Sequence, residues 1–185
     1  MESVKNILKF RAVPPQISKE SAEVGDKWEE DLFNLFLTGK PGVGKTYHAK
    51  SLLNTAISNW NLYRSRQNIP GTLAEGKDLY KFYTCNELMM YARVAKEQID
   101  LYEKCIRLKG LVLDDLGVGK RSDFVPDIIY MIVDKRLDLG KPTIVTSNLK
   151  LEEISDLIDD RLASRLATYE YKEIIGEDKR LIINK

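Results

Sequence analysis

The chain has 185 residues, of which 43% are hydrophobic and 31% charged, and its formal net charge at pH 7 is +1. This length and apolar content suit one compact domain with a buried core, and they leave too little chain to expect two. A net charge so close to zero gives no overall attraction to nucleic acid or to a membrane surface. Any such binding must therefore come from a local patch of charge.

Cysteine and histidine are scarce: Cys85 and Cys105 are the two cysteines, and His48 is the single histidine. Their separations do not match those of zinc ligands, which argues against a metal site of nitrogen and sulfur ligands. We expect two buried or half-buried reduced thiols, as is usual in a reducing compartment. No apolar run is long enough to span a bilayer, and the first residues lack a signal-peptide core, so the sequence predicts a cytoplasmic protein without membrane contact.

Strands and helices are predicted to alternate along the chain. Residues 1–30 are expected to form an N-terminal arm, and residues 31–185 the core domain. Apolar or β-branched runs predict strands at 32–39, 79–85, 111–117, 141–149 and 167–175, and helical spacing predicts helices at 47–60, 86–110, 122–140 and 150–166. Asn86 is the expected N-cap of the second helix. Residues 61–78, which contain Pro70, are predicted to be a loop or insertion. This order indicates an α/β domain with a mostly parallel sheet.

A glycine-rich segment follows the first predicted strand. It fits the P-loop pattern of glycine, any four residues, glycine, lysine, and serine or threonine. Glycines let the backbone fold around phosphates with its N–H groups pointing inward, and the following helix adds the positive end of its dipole. The sequence predicts a site for ATP with Mg²⁺, with Lys45 on the β- and γ-phosphates and the Thr46 hydroxyl on the metal. The predicted nucleotide-binding residues are Gly39, Lys40, Pro41, Gly42, Val43, Gly44, Lys45, Thr46 and Tyr47.

Polar side chains are predicted at the ends of two further buried strands. Asp114 and Asp115 end the run "GLVLDD", where Asp114 is expected to hold Mg²⁺ and Asp115 to orient or deprotonate an attacking water. Asp115 is one methylene shorter than a glutamate, which suggests slow or regulated hydrolysis. Asn148 follows the strand "PTIVTS", at the sheet edge where ligands bind, and its amide is expected to reach a γ-phosphate oxygen or the water. A plain turn or cap is the alternative for Asn148.

Two arginines lie four residues apart in "DDRLASRLA" and so share one face of a predicted helix. Arg161 and Arg165 are either paired with the neighbouring acids at the surface or act as an arginine finger that completes the site of a neighbouring subunit. The residues alone leave both interpretations open.

Taken together, "KTYHAKSLL", "FYTCNELMMYAR", "GLVLDDLGVGKRSDFVPDIIYMIVDKR", "GKPTIVTSNL" and "DDRLASRLA" resemble the AAA+ ATPases of the bacterial helicase-loader group, the DnaC/DnaI and IstB branch. The resemblance runs from about residue 10 to residue 175 and implies a RecA-like AAA+ core, a P-loop NTPase three-layer sandwich. It also implies ATP with Mg²⁺, side-by-side assembly on DNA, Asn148 as the sensor-1 residue, and Arg165 ahead of Arg161 as the arginine finger.

Two departures from the group are expected to matter. Only about forty residues precede the P-loop, so the helicase-binding element of loaders is missing, removed, or reduced to the arm in residues 1–30. The chain also ends soon after the last predicted strand, so we expect no helical lid domain and no sensor-2 arginine.

Contacts with single-stranded DNA are nominated from basic residues near aromatic ones, because cations bind the backbone and rings stack on bases. Solvated surface charge is the alternative for each of them. The nominated residues are Arg93, Lys96, Lys104, Arg107, Lys120 and Arg121.

The sequence therefore predicts an ATP-hydrolysing helicase loader that assembles as a homo-oligomer on single-stranded DNA and delivers a replicative helicase. A transposase-helper ATPase of the same branch is the nearest alternative. A P-loop small-molecule kinase is disfavoured because residues 147–160, "SNLKLEEISDLIDD", carry acids and no basic, lid-like run. A nucleotide-gated adaptor with little hydrolysis stays open because Asp115 is short.

Overall fold

The computed structural model describes residues 33–69, 78–92, 95–117 and 125–179, and these form five strands and six helices. The strands are β1 (Leu35–Thr38), β2 (Tyr80–Thr84), β3 (Gly110–Leu116), β4 (Thr143–Ser147) and β5 (Glu170–Glu173). The helices are α1 (Lys45–Arg66), α2 (Cys85–Ala92), α3 (Ala95–Arg107), α4 (Val125–Asp138), α5 (Leu151–Leu157) and α6 (Asp160–Leu166). The predicted arm in residues 1–30 lies outside the described residues.

The five strands form one sheet in the order β2-β3-β4-β1-β5, and each neighbouring pair is parallel. The predicted α/β class with a parallel sheet is confirmed. Because β4 lies between β1 and β3, the strand before the P-loop and the strand with the two acids are not neighbours. The strand that ends before Asn148 separates them, with Ser147 in register with Thr38 on one side and with Leu116 on the other.

Helices cover both faces of the sheet. On one face α1 packs through Ala49 and Leu53 against strand residues that include Leu35 and Leu37. On the other face α2 to α6 bury a larger cluster around Phe36 and its neighbours on β3 and β4. Successive strand residues point to opposite faces, so a run that is apolar at every position is what a sheet buried on both sides requires. The predicted three-layer sandwich is confirmed.

The prediction of a loop or insertion at 61–78 is wrong for its first part, because α1 continues to Arg66. No glycine or proline interrupts residues 45–66, and the rings of Trp60 and Tyr63 stack one turn apart with their centroids 5.7 Å from each other. Arg64 in the same turn is also buried, with 7% of its surface exposed. Residues 70–77 of the predicted loop lie outside the described part of the chain.

The caps of the helices differ from the predictions at two places. Thr84, not Asn86, is the N-cap of α2, because its hydroxyl accepts a hydrogen bond from the N–H of Glu87 while the Glu87 carboxylate accepts one from the N–H of Thr84. The single helix predicted at 150–166 is two helices. Asp159 separates them, since its carboxylate accepts from the N–H of Leu162 and caps α6.

Cys85 and Cys105 are both free and buried, as predicted, and burial raises the pKa of each thiol, that of Cys105 to about 11. Arg136, which is also fully buried, lies at the edge of the sheet where the strands begin. Its guanidinium donates to the Thr143 hydroxyl and to the carbonyls of Cys105, Leu108 and Pro142. These bonds join α3, α4 and β4, although burial still lowers the pKa of Arg136 to about 10.

Candidate nucleotide-binding site

The P-loop connects the end of β1 to the start of α1. Gly42 and Gly44 have φ angles of 79° and 105°, in the left-handed region that favours glycine. A Cβ on Gly39, where φ is 144°, would come within 2.3 Å of the Ile174 carbonyl oxygen. The loop can therefore turn tightly under the segment that follows β5 only because these positions are glycines. The structure thus gives a physical reason for the glycines of the predicted loop.

Lys45 is the first residue of α1, and its side chain lies in the P-loop itself. It is 5% exposed, and Nζ donates to the carbonyl oxygens of Gly39 at 2.7 Å and Lys40 at 3.0 Å. A third bond joins Nζ to Oδ1 of Asn148, also at 2.7 Å. The ammonium group therefore lies between the loop and the end of β4. This is a position from which it can bind a phosphate oxygen.

Asp114 is buried at the end of β3, with its carboxylate between two hydroxyl groups. Thr46 Oγ1 donates to Oδ2 at 2.9 Å, and Thr146 Oγ1 donates to Oδ1 at 2.6 Å. The structure thus brings together the two residues, Thr46 and Asp114, that were predicted to bind Mg²⁺. Thr146 was not predicted as a site residue. It holds Asp114 in place from the neighbouring strand.

Asp115 has a left-handed backbone, with φ of 58°, which is uncommon for a residue other than glycine. The pairing of β3 with β4 shifts register between Leu113 and Leu116, so Asp115 lies within the irregular stretch. Its N–H donates to Thr146 Oγ1 at 3.0 Å. One threonine hydroxyl therefore fixes both the Asp114 carboxylate and the main chain of Asp115.

Asn148 follows β4 directly and lies between the P-loop and the acidic strand. The turn is fixed by Thr38 Oγ1, which donates to the Leu149 carbonyl at 2.8 Å, and by Ser147 Oγ, which donates to the Leu116 carbonyl at 2.7 Å. These bonds hold the end of β4 against both neighbouring strands. Asn148 reaches Lys45 as a result.

The segment after β5 packs against the P-loop, a contact that no sequence pattern predicts. Ile174 N–H donates to the Thr38 carbonyl at 2.8 Å, and Lys179 N–H donates to the Gly42 carbonyl at 3.1 Å. Burial lowers the pKa of His48, and the positive charge of Lys179 lowers it further. Its neighbour Tyr47 is 60% exposed at the start of α1. Tyr47 is thus accessible from solvent next to the loop.

Arg161 and Arg165 both pair with acids of their own chain. Arg161 Nη2 lies 2.8 Å from Asp127 Oδ1 and 2.7 Å from Asp159 Oδ2, and Arg165 Nε lies 2.5 Å from Asp134 Oδ1. The hydrogen bonds to these carboxylates raise the pKa of each arginine. The interpretation as surface ion pairs therefore describes the isolated chain, in which neither arginine contacts the P-loop residues that the structure describes.

Only two of the nominated DNA contacts have described side chains. Lys104 and Arg107 lie near the end of α3, close to where β3 begins and thus at the sheet edge opposite the P-loop. Arg107 is paired with Glu103 at 2.6 Å. Arg93, Lys120 and Arg121 lie outside the described residues, as does the side chain of Lys96.

The residues at the carboxyl edge fit ATP and Mg²⁺. The glycine loop leaves room for backbone N–H groups to approach phosphates, the buried ammonium of Lys45 supplies positive charge, and a hydroxyl and a carboxylate lie 2.9 Å apart at Thr46 and Asp114. Oxygen ligands of this kind are what Mg²⁺ prefers. The fold and the site together define an α/β protein with a P-loop for nucleotide.

The family model described as IstB-like ATP binding protein matches residues 10–169, and the chain belongs to this family. It is 27% identical over 141 residues to the replicative helicase loader DnaC of Escherichia coli strain K12, covering 76% of this chain and 53% of that protein. The chain thus spans about half the length of the curated relatives it matches. The resemblance to the helicase-loader branch is confirmed.

Solved structures share the fold. The crystal structure of the DnaC helicase loader superposes with a TM-score of 0.58 at 22% identity, over 90% of this chain and 94% of that one. AMPPCP-bound DnaA from Aquifex aeolicus gives a TM-score of 0.61 at 18% identity, over 94% and 51% of the two chains. These likenesses show that the chain shares its fold with those proteins. Across the described ranges, none of the helices has the length and apolar character that crossing a bilayer demands.

Proposed function

We propose that this chain hydrolyses ATP and works as a helicase loader, assembling on single-stranded DNA as a homo-oligomer and delivering a replicative helicase. One observation carries the proposal: Lys45, Thr46, Asp114 and Asn148 meet at one edge of the sheet, with Lys45 Nζ 2.7 Å from Asn148 Oδ1. Membership of an ATP-binding family and the similarity to DnaC loaders support it.

The residues have separate roles in this proposal. Lys45 and the loop amides bind the phosphates, and Thr46 with Asp114 holds Mg²⁺, which neutralises phosphate charge when bound. Asp115 orients or deprotonates the attacking water, and Asn148 donates its amide to the γ-phosphate or to that water. Because Asn148 Oδ1 already accepts from Lys45, its amide nitrogen is directed away from the lysine. Arg165 acts on the nucleotide of a neighbouring subunit.

Sedimentation with a non-hydrolysable ATP analogue, with and without a short single-stranded DNA, tests assembly. We expect growth beyond a monomer that needs both ligands and weakens steeply with salt, since phosphate contacts release counterions. The matched control is Lys45→Ala, which should stay monomeric. A protein that binds ATP yet stays monomeric with DNA would contradict the loader proposal and favour the adaptor with little hydrolysis.

The transposase-helper alternative uses the same ATP site and is favoured by the family model that matches the chain. The two functions differ in the protein that is delivered. Purified replicative helicase and purified transposase, each offered to the ATP- and DNA-bound oligomer, separate them. If the oligomer co-sediments with the transposase and not with the helicase, the transposase-helper function replaces the loader proposal.

A further inference from the structure

The two arginines of α6 face α4, but they are held in different ways. Arg161 uses Nε and Nη2 on Asp159, uses Nη2 on Asp127 as well, and places its guanidinium carbon 4.7 Å from the centre of the Tyr130 ring. Both Nε and Nη2 of Arg161 thus donate to carboxylates, and the Tyr130 ring covers one face of the guanidinium. Arg161 fits a role in holding α6 against α4.

Arg165 is held through Nε, the guanidinium nitrogen that is bonded to the side-chain stem. Nε donates to Oδ1 of Asp134 at 2.5 Å, so Nη1 and Nη2 are not taken by that carboxylate. The Arg165 side chain is 43% exposed. Nη1 and Nη2 of Arg165 therefore remain within reach of solvent, while Nε is held by Asp134.

This geometry suits a cation that must meet a phosphate on another molecule. A guanidinium binds phosphate best through a pair of parallel N–H bonds, and the pair Nη1 and Nη2 offers one. A long side chain loses conformational entropy when it binds, and a second anchor at Nε reduces that loss because the side chain is already ordered. Asp134 supplies this anchor from α4.

We propose that Asp134 is a positioning residue for Arg165: it holds the guanidinium through Nε so that Nη1 and Nη2 are presented to a phosphate bound by a neighbouring subunit. This inference rests on the proposed trans role of Arg165. It also assigns the two arginines different tasks, with Arg165 presented and Arg161 engaged in the α4–α6 contact.

Mixtures of two defective proteins test the proposal, because they assign each residue to one side of the interface. The acceptor is Arg165→Ala, which keeps its P-loop, and the donor is Lys45→Ala, which keeps its arginines. Asp134→Asn is then added to the donor or to the acceptor, and ATP hydrolysis is measured at saturating ATP. Asp138→Asn, which removes a charge from an exposed residue of the same helix, is the matched control.

We expect the parent mixture to recover hydrolysis and Asp134→Asn in the donor to reduce that recovery about three- to tenfold, as for loss of an exposed ion pair that positions a group. The KM for ATP should not change, because the nucleotide is bound by the acceptor. The same substitution in the acceptor, and Asp138→Asn on either side, should have no effect. Asp134→Ala in the donor should lose more than Asp134→Asn, which keeps an oxygen acceptor.

Each other outcome overturns the inference. Equal loss on both sides would show a structural role for Asp134, and increased recovery would show that Asp134 restrains Arg165. If Asp134→Asn in the donor recovers as much hydrolysis as Asp138→Asn, the positioning role of Asp134 is refuted, while the proposed function is left intact. A parent mixture that sediments as an oligomer with ATP and DNA but recovers no hydrolysis would refute the trans role of Arg165, and this inference with it.

Discussion

The two ends of the parallel sheet each bury a cation, and the cations are held differently. Where the strands begin, Arg136 donates to one threonine hydroxyl and to three main-chain carbonyls of α3, its following turn and the start of β4. Where the strands end, Lys45 donates to two carbonyls of its own loop and to the Asn148 side chain. Both side chains are almost fully buried.

The difference lies in whether the partners can be exchanged. The acceptors of Arg136 belong to elements that pack against one another, where a ligand does not compete for them. One of them, the Pro142 carbonyl, also accepts from the N–H of Leu111. The partners of Lys45 are a glycine loop and an amide, and a phosphate oxygen would be a stronger acceptor than either. Burial of a charge therefore marks structure at one end of the sheet and a ligand site at the other.

The largest expected effects come from removing each cation. Arg136→Ala should lower the free energy of unfolding by about 3–5 kcal/mol, because it leaves a cavity and removes the Arg136 donor from three carbonyls. Lys45→Ala should leave that free energy nearly unchanged but weaken ATP binding by roughly a hundredfold or more. Urea unfolding and equilibrium titration with a fluorescent ATP analogue measure the two. Retained ATP binding by Lys45→Ala would refute the assignment of the P-loop.

A pair of glycines tests the same contrast in the backbone. Gly42 in the P-loop and Gly140 after α4 both have left-handed φ angles, 79° and 62°. A Cβ on Gly42 would come within 1.9 Å of Asp178 Oδ1, whereas one on Gly140 would have nothing within 4 Å. Gly140→Ala should therefore cost about 1 kcal/mol of stability from backbone strain alone, and Gly42→Ala about 2–3 kcal/mol.

Calorimetry of the two glycine variants measures these costs, and ATP titration should show weaker binding only for Gly42→Ala. Adding Asp178→Gly to Gly42→Ala separates the contact from the strain. If the clash contributes, the double variant should regain about 1 kcal/mol. Equal losses for Gly42→Ala and Gly140→Ala would mean that the segment after β5 yields without cost.

Two asparagines make the next pair. Asn34 Oδ1 accepts from the Thr143 N–H at the beginning of β4, and Asn148 Oδ1 accepts from Lys45 beyond its end. Asn34→Ala should lower the free energy of unfolding by about 1 kcal/mol without changing ATP hydrolysis. Asn148→Ala should keep the stability and slow single-turnover hydrolysis by about tenfold or more. Unchanged hydrolysis would favour a plain turn role for Asn148.

The last pair is two threonines on one strand, Thr143 and Thr146, both fully buried. Thr143→Val removes an acceptor of Arg136, and Thr146→Val removes the hydroxyl between Asp114 and the N–H of Asp115. Each should cost about 1–2 kcal/mol of stability. Only Thr146→Val should also raise the Mg²⁺ concentration needed for half-maximal hydrolysis, as a Mg²⁺ titration measures. A similar rise for Thr143→Val would show that the two ends are coupled.

Local pattern predicted β1, β3 and β4 well because each is a largely apolar or β-branched run that is buried on both faces. It also predicted the meeting of Lys45, Asp114 and Asn148, since parallel strands end at one edge of the sheet. Arg136 gave no signal, because its acceptors come from segments that are distant in sequence. Thr84 was missed as a cap because Asn86 is the more usual cap residue at nearly the same place.

The contacts of the segment after β5 with the P-loop lay outside the reach of sequence patterns for the same reason. The main-chain bond from Lys179 to Gly42 joins residues more than a hundred positions apart. Neither residue type indicates the other. The pairing of Arg165 with Asp134 likewise depends on how α6 packs on α4, which no periodicity within either helix reports.

The place of β1 between β4 and β5 also has a consequence for folding kinetics. β1 is the first of the described strands, yet both of its partners come late in the chain, with Phe36 opposite Val145 and Tyr171. Such long-range pairs close slowly, because most of the chain must be ordered before they form. During refolding from urea, recovery of nucleotide binding should therefore lag behind the return of helical circular dichroism. The P-loop, which comes first among the parts of the site along the chain, would then be the last to become functional.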